Sequence, residues 1–183
     1  MGITRRMLLG GGVIGATFGV VGLKGAMTAV AQNEKAAHDL GALPDVLADL
    51  AQRPRGVRVY QDLHLALVRY QPPAELAALH ADVAAGGVLA LVNKCTHLGC
   101  ALPEVCASSG WFECACHGAR FNGAGDYEYG PAPRSMDRYR LRLVSRPGFV
   151  ADHLVVDLTR VVPGLPRGVA SLHQEPDGPH CTG

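Results

Sequence analysis

The longest apolar stretch of the chain lies at its N-terminus. Residues 7–23 contain no charged side chain and are rich in glycine, so this run is close to the shortest helix that spans a bilayer. Lys24 interrupts the run, but a lysine near the end of a membrane helix extends its ammonium group to the interface, which allows the span to continue to Ala31. We therefore predict one N-terminal transmembrane helix within residues 1–31.

From residue 57 onwards, apolar and polar positions alternate over short runs, as expected of half-buried β-strands. The runs that predict strands are 57–60, 63–67, 88–92, 111–113, 138–144 and 154–158. Residues 74–85 depart from this pattern, because their composition favours a helix that ends at Gly86-Gly87. Many short strands separated by glycine and proline turns predict an all-β antiparallel sandwich over residues 57–162.

Two segments flank this predicted domain. Residues 32–56 are interpreted as a hinge or linker, and within them 44–52 carries leucine and valine at helical spacing, which predicts a short amphipathic helix. The hinge is either a tether on which the head swings or a linker that docks on the head. Residues 163–183 mix proline and glycine with polar side chains and predict an extended C-terminal tail.

Charge and cysteine content narrow the setting of the protein. Lys+Arg 17 against Asp+Glu 16 leaves a net charge of +1, which gives no indication of nucleic-acid binding. The chain has 6 cysteines, and we expect at least one pair to be oxidised. Disulfides persist in oxidising compartments, so the cysteines indicate a location outside the cytoplasm.

Two short motifs supply the candidate chemistry. The first is Cys95-Thr96-His97-Leu98-Gly99-Cys100, and the second is Cys114-Ala115-Cys116-His117-Gly118-Ala119. They offer one cysteine and one histidine each, as C-x-H and C-x-x-H, with one additional cysteine per motif. Two thiolates and two imidazoles fit structural zinc, and they also fit a [2Fe–2S] centre in which two histidines replace two cysteines on one iron. Two matching loops that each give one ligand to each iron favour the second interpretation.

Both motifs resemble the cluster-binding boxes of the Rieske iron–sulfur proteins, and Gly130-Pro131-Ala132-Pro133 resembles the proline loop of that family. The resemblance covers roughly residues 57–160. It implies a Rieske-type fold with a cluster-binding subdomain and a Rieske [2Fe–2S] cluster as cofactor. In that cluster one iron is bound by Cys95 and Cys114, and the other by His97 and His117.

The resemblance also implies how the cluster is enclosed. A disulfide between Cys100 and Cys116 would hold the two loops together, and in this family such a disulfide marks the quinol-oxidising branch. The residues expected to shield the cluster or to form its tight turns are Leu98, Gly99, Gly118, Pro131 and Pro133.

The same resemblance implies electron transfer from a quinol through the cluster to a cytochrome c or a comparable haem domain. His117, together with His97, would accept the proton and electron, because the redox state of the iron changes the pKa of the free ring nitrogen. The implied partners are a cytochrome b subunit, a haem subunit and quinol in a dimeric bc-type complex, in which this subunit is not catalytic alone. The alternative is the small subunit of a periplasmic molybdenum oxidase such as arsenite oxidase. The N-terminal segment argues against a soluble ferredoxin.

The residues before the apolar run bear on export. Thr4-Arg5-Arg6 resembles a twin-arginine signal, which suits a protein that must be exported folded around its cluster. The alternative is an ordinary signal, and Ala29-Val30-Ala31 would allow its cleavage. We favour retention as a single-pass anchor in a bacterial cell membrane, with Arg5 and Arg6 in the cytoplasm and the head on the extracytoplasmic side.

Two residues depart from the high-potential Rieske pattern. Ala119 stands where that pattern has serine, and Phe121 stands where it has tyrosine. In the family those hydroxyls donate hydrogen bonds to a bridging sulfide and to a ligand thiolate, which raises the reduction potential. We therefore predict a potential well below the top of the Rieske range, which suits menaquinol better than ubiquinol.

Two cysteines, Cys106 and Cys181, lie outside the motifs. A second disulfide between them is one interpretation, but separate thiols are the favoured one. The remaining histidines are spread singly along the chain and are interpreted as structural or solvated side chains.

Overall fold

A six-stranded antiparallel sheet forms the base of the head. The computed structural model of the chain describes residues 37–182. The base strands are β1 (Ala37–Ala42), β2 (Val57–Tyr60), β3 (Leu65–Arg69), β4 (Val88–Val92), β8 (Arg138–Val144) and β9 (His153–Val162). They lie in the order β1-β9-β8-β4-β3-β2, with every neighbouring pair antiparallel. The all-β antiparallel prediction is therefore confirmed, although the predicted sandwich takes the form of one continuous sheet with a core on each face.

A smaller sheet is inserted between β4 and β8. Its strands are β5 (Phe112–Glu113), β6 (Arg120–Phe121) and β7 (Tyr127–Tyr129), in that order and antiparallel. This insertion contains both cysteine–histidine motifs and matches the separate subdomain that the resemblance implied.

The side chains of the central strands pack into two hydrophobic cores, one on each face of the sheet, because successive side chains of a strand point to opposite faces. On one face, Leu65, Leu67 and Ala90 pack against helix α1 (Leu43–Gln52), which contributes Val46 and Leu50. On the other face, Ala66, Val68, Leu89 and Leu91 pack against the inserted subdomain. Both faces of these strands are buried, which explains their nearly continuous apolar sequence.

The segment interpreted as a hinge is largely part of the base. Residues 37–42 form β1, which pairs with β9 at the sheet edge, and the predicted helix over 44–52 is present as α1. Helix α1 buries Val46 and Leu50 against the sheet. The described part of the hinge therefore docks on the head, and the tether interpretation does not hold for residues 37–56.

The helix predicted over 74–85 does not form. The structure has a single 3-10 turn, Ala77–His80, followed by further turns. The turns bury His80 and Val83, and the Val83 carbonyl accepts a hydrogen bond from Leu141 N at 3.3 Å. This side-chain burial and the tertiary hydrogen bond thus outweigh the helix propensity of the segment, which contributes only a small free energy per residue.

The strand predicted over 63–67 begins only at Leu65 and continues to Arg69. The residues before it form a turn in which His64 has a φ of 48°, a left-handed conformation that a strand does not accommodate. The strand predicted over 154–158 is longer than expected and ends at Val162.

The C-terminal tail contains no helix or long strand within residues 163–182, as predicted, but it is packed against the head rather than extended into solvent. A β-carbon at Gly164 would lie 2.1 Å from the Ser135 carbonyl oxygen, so only glycine allows this approach. Farther along, Ser171 is fully buried, and its amide donates a hydrogen bond to Asp126 at 2.6 Å.

The predicted transmembrane helix and the export signal lie within residues 1–31, outside the described residues. Within residues 37–182 no helix has the length and apolar character needed to cross a bilayer.

Candidate metal centre

The two motifs form loops with the same backbone hydrogen bonds. In the first loop, Cys95 N donates to Cys100 O at 2.8 Å, and Gly99 N donates to Cys95 O at 2.9 Å. In the second loop, Cys114 N donates to Ala119 O at 2.8 Å, and Gly118 N donates to Cys114 O at 3.0 Å. Both glycines have φ near +75°, where a side chain would be strained. Each loop thus presents its leading cysteine from a tight turn at the end of a strand.

The two leading cysteines are free thiols in the interior. Cys95 and Cys114 are both buried, and neither forms a disulfide. Burial, together with the neighbouring Cys114 thiol, raises the pKa of Cys95 to about 11. The Cys95 thiol is therefore protonated at neutral pH, and a metal would bind there by displacing its proton.

The two histidines lie side by side at the surface end of the loops. The ring centroids of His97 and His117 are 4.8 Å apart, and the rings are nearly perpendicular at 89°. Nδ1 of His97 is buried and has no hydrogen-bond partner among the described residues, whereas the His117 side chain is exposed. A buried imidazole nitrogen without a partner is costly, and a metal ion would satisfy it.

A disulfide joins the two loops, as the resemblance implied. Cys100 and Cys116 are bonded, with an S–S distance of 2.22 Å. Their sulfur atoms and that of Cys114 all lie within 4.8 Å of one another. Because bonded sulfurs are not thiolate ligands, this trio is no metal site of its own; the disulfide covers the buried thiol of Cys114.

The proline loop is packed against both motif loops. A β-carbon at Gly130 would lie 2.7 Å from the Gly118 carbonyl oxygen, which shows how closely the loops approach. Thr96 Oγ1 donates a hydrogen bond to Arg134 O at 2.8 Å and so connects the first loop to the end of the proline loop. Pro131 and Pro133 face outward, and it is the buried Ala132 between them that reaches the core.

Sequence reasoning missed the residue that holds the proline loop. Arg167, in the tail, donates hydrogen bonds to Ala132 O at 2.7 Å and Gly130 O at 3.1 Å. Its guanidinium lies 4.5 Å from the centre of the Tyr127 ring. A lone arginine in an irregular segment gives no signal of this role, because only the folded tail brings it to the loop.

The surface around His117 is open and partly apolar. Leu98 is 70% exposed at the tip of the first loop. A groove of about 460 Å³ lies along the second loop and is lined by Ala115, Cys116, His117, Gly118, Arg120 and Tyr129. An exposed imidazole beside an accessible groove can exchange a proton with a molecule bound there.

The second pair of cysteines is also oxidised, so the favoured interpretation of separate thiols is wrong. Cys106 and Cys181 form a disulfide with an S–S distance of 2.13 Å. Sequence separation is 75 residues, and nothing in the local sequence at Cys106 identifies its partner in the tail.

A buried carboxylate, like the Cys106–Cys181 disulfide, connects the tail to the small subdomain. Glu113 accepts hydrogen bonds from Ser109 Oγ at 2.6 Å and from Thr182 N at 2.8 Å, and it lies 2.8 Å from His180 Nδ1. Burial opposes ionisation, but these hydrogen bonds more than offset it and lower the pKa of Glu113 to about 2. The last residues of the tail are therefore attached directly behind the strand that leads to Cys114.

The two positions that depart from the high-potential pattern are both buried. Ala119 and Phe121 have no exposed surface. Tyr127, the nearest tyrosine along the small sheet, donates its hydroxyl to Gly130 O at 2.7 Å. Its hydroxyl is thus committed to the proline loop and does not replace the one absent at Phe121.

Comparisons with known proteins bear on the same region. The family model described as Rieske [2Fe-2S] domain matches residues 46–141. The cytochrome b6-f complex iron-sulfur subunit 2 of Trichormus variabilis is 44% identical over 48 residues, which are 26% of this chain and 26% of that protein. The ubiquinol-cytochrome c reductase iron-sulfur subunit of Rhodobacter capsulatus is 46% identical over 55 residues, or 28% of each chain. These matches thus span about a quarter of each relative.

Among solved structures, the crystal structure of the plasma membrane Rieske protein PetC3 from Synechocystis aligns with a TM-score of 0.42 at 23% identity. The alignment covers 65% of this chain and 97% of that one.

Proposed function

The chain belongs to the Rieske [2Fe-2S] domain family, and on that premise we propose that it carries electrons from a quinol to a haem protein. Its cofactor is the Rieske [2Fe–2S] cluster. We assign one iron to Cys95 and Cys114 and the other to His97 and His117. The observation that supports this assignment is that the two loops carry two buried free thiols and two adjacent imidazoles, one with a buried nitrogen that has no partner within residues 37–182.

Different residues of the chain have different proposed roles around the cluster. When bound, the cluster takes up one electron and links its redox state to the pKa of the imidazoles that hold it. His117 is exposed at the groove, so its free ring nitrogen can accept the hydrogen bond and the proton of a quinol. Leu98 offers an apolar contact beside it, while the Cys100–Cys116 disulfide and the proline loop exclude water from the thiolate side.

The proposed setting is a bc-type complex. The two relatives described above are named as subunits of a cytochrome b6-f complex and of a ubiquinol-cytochrome c reductase. By analogy we propose a cytochrome b subunit and a cytochrome c-type subunit as partners in a dimeric complex, with this subunit inactive alone. Two disulfides in the described residues support a head on the extracytoplasmic side, anchored by the N-terminal segment.

We propose menaquinol as the electron donor. Neither Ala119 nor Phe121 can donate a hydroxyl hydrogen bond to the cluster or its ligands, and Tyr127 is engaged elsewhere. Fewer donors leave the reduced, more negative state less stable and lower the potential. Potentiometric EPR tests the low potential directly, and a midpoint reduction potential of about +300 mV, the top of the Rieske range, would contradict it.

Purification of the tagged full-length protein from its native membranes tests the whole proposal. We expect haem-containing subunits to co-purify and the preparation to reduce cytochrome c in a quinol-dependent manner. A molybdenum subunit in place of haem, with an N-terminus that begins at Gln32, would favour the small subunit of a molybdenum oxidase instead. Tightly bound zinc and no EPR signal on reduction would overturn the cluster itself.

A further inference from the structure

The rim of the groove beside His117 carries a fixed positive charge that the cluster site does not require. Resting on the proposed electron transfer, we propose that this rim is the docking surface for an acidic, carboxylate-rich face of the electron-accepting protein. Arg120 and Arg167 are the cations that would meet it.

The three loops around the centre contain no acidic residue. Segments 95–100, 114–119 and 130–134 lack aspartate and glutamate altogether. Basic residues adjoin each of them: Lys94 precedes the first loop, Arg120 follows the second, and Arg134 ends the third. Each loop therefore has a basic neighbour and no acidic member, although the Arg134 charge is paired with Asp137 and the whole chain carries a net charge of only +1.

Arg120 and Arg167 both lie beside the segment that joins β7 to the proline loop. The Arg120 guanidinium is 5.3 Å from the centre of the Tyr129 ring, and that of Arg167 is 4.5 Å from the centre of the Tyr127 ring. The β6–β7 register shifts here, so strand alternation does not place the two tyrosine rings on one face. Proximity follows instead from direct contacts: Arg120 and Tyr129 line the groove, and Arg167 donates a hydrogen bond to the carbonyl of Gly130, the residue after Tyr129.

Neither guanidinium is neutralised by a carboxylate among residues 37–182. Arg120 donates to Thr182 O at 2.5 Å, and Arg167 donates to two carbonyls of the proline loop. Arg134 differs, because Asp137 binds it through two hydrogen bonds of 2.8 Å. Carbonyl bonds and ring stacking fix the position of Arg120 and Arg167 without cancelling their charge, so both remain available to an acidic partner.

Two acidic residues of the small sheet, Glu113 and Glu128, do not offset this charge at the surface. Glu128 is half-buried and bound to Asn122 Nδ2 at 2.8 Å, and burial raises its pKa. Glu113 is buried and accepts hydrogen bonds from Thr182 of the tail and from Ser109. The end of the head that carries the two histidines thus combines an exposed apolar tip at Leu98 with a cation, Arg120, in the groove, an arrangement typical of a transient protein interface.

Charged small oxidants test the surface without the unknown partner. We compare the wild type with R120Q/R167Q and follow oxidation of the reduced cluster by stopped flow, using anionic ferricyanide and cationic tris(phenanthroline)cobalt(III). At an ionic strength of about 10 mM, we expect the variant to react roughly tenfold more slowly with ferricyanide and several-fold faster with the cobalt complex. Both differences should shrink strongly at about 0.5 M salt.

Equilibrium binding provides a readout that does not depend on electron transfer. Fluorescence anisotropy of a labelled hexaglutamate peptide should show binding to the wild type at low salt and a several-fold weaker affinity for R120Q/R167Q. The matched control is R142Q/R160Q, which removes the same charge from two exposed positions on β8 and β9. The control should behave like the wild type in both assays.

A charge-preserving variant separates the charge from the packing of the two arginines. R120K/R167K should retain most of the wild-type affinity and rate, because a lysine keeps the charge although it loses the stacked geometry. The proposal is overturned if the lysine variant is as impaired as the glutamine variant, or if the distant control is equally impaired. A wild type that assembles no cluster, or whose reduced cluster reacts with neither oxidant, would instead refute the proposed function.

Discussion

Three loops of the small subdomain share the same pattern of backbone hydrogen bonds, yet only two of them frame the candidate metal centre. In the third loop, 106–111, Cys106 N donates to Trp111 O at 2.8 Å and Gly110 N donates to Cys106 O at 2.8 Å. These bonds repeat those of loops 95–100 and 114–119, and Gly110 has a φ of 76° like its two counterparts. A leading cysteine on a tight turn is therefore present three times.

The difference lies in what surrounds each leading cysteine. Cys95 and Cys114 remain free, and each loop adds a histidine two or three residues later. The third loop has Ser108 and Ser109 at those places, and its thiol is bonded to Cys181 in the tail. Backbone geometry alone thus does not make a metal ligand; the partner that reaches the sulfur decides between a metal centre and a structural cross-link.

The largest effect should come from removing a leading cysteine. We expect C95S to lose its cluster, from about two iron atoms per chain to essentially none, because a serine oxygen replaces the soft thiolate. In the matched control C106S/C181S, iron content and the EPR signal of the reduced protein should be unchanged. Loss of iron in that control would show that the third loop takes part in the metal centre.

The two disulfides should contribute differently to folding stability and to retention of the cluster. Chain-entropy arguments assign about 4.5 kcal/mol to the long Cys106–Cys181 connection and about 3 kcal/mol to the shorter Cys100–Cys116 connection. We expect C106A/C181A to lose more stability in urea unfolding of the metal-free protein. C100A/C116A should lose the cluster sooner, as measured by the decay of visible absorbance in air. If one of these two variants is the more impaired in both assays, the proposed difference between the two disulfides is wrong.

A buried ion pair should hold the tail nearly as firmly as its disulfide. Asp126 binds Arg138 at 2.9 Å and accepts the amides of Ser171 and Leu172. We expect D126N to cost about 3 kcal/mol in urea unfolding, because it leaves a buried arginine unpaired. The control D49N disrupts the half-exposed pairs of Asp49 with Arg53 and Arg58 and should cost about 1 kcal/mol or less.

The contribution of Asp126 should depend on pH. Burial opposes ionisation, but the nearby His80, Ser171 and Arg138 more than offset it and lower the pKa of Asp126 below 3.8. Stability from this carboxylate is therefore fully present above that value and is lost as the pH falls through the lower folded pKa. Urea unfolding between about pH 5 and pH 2 should show a steeper loss for the wild type than for D126N. Parallel curves would exclude Asp126 as the source.

The smallest effect concerns the potential of the cluster. F121Y restores a hydroxyl at a buried position, and one hydrogen bond that favours the reduced state by about 1 kcal/mol raises a one-electron potential by on the order of 40 mV. Potentiometric EPR should detect this rise. Y127F, which removes a hydroxyl already donated to Gly130, should shift the potential less. A fall in the F121Y potential would contradict the proposed role of position 121.

Local sequence determined the parts of this protein that depend on neighbouring residues. The spacing within the two motifs predicted two matching loops, and each loop closes through its own backbone hydrogen bonds and glycine. The alternating apolar runs predicted most strands, since a period of two is set residue by residue. Helix α1 was recognisable for the same reason, from its apolar spacing.

Only the tertiary structure decided the features that join distant segments. Residues 37–42 have no strand pattern of their own and form β1 because the exposed edge of β9 is available to pair with them. The helical propensity over 74–85 yields to the burial of His80 and Val83 and to the hydrogen bond between Val83 and Leu141. Cys181 meets Cys106, and Arg167 meets the proline loop, because the folded tail passes over the subdomain. Contacts between residues so far apart in sequence leave no local pattern, since they exist only after the chain has folded.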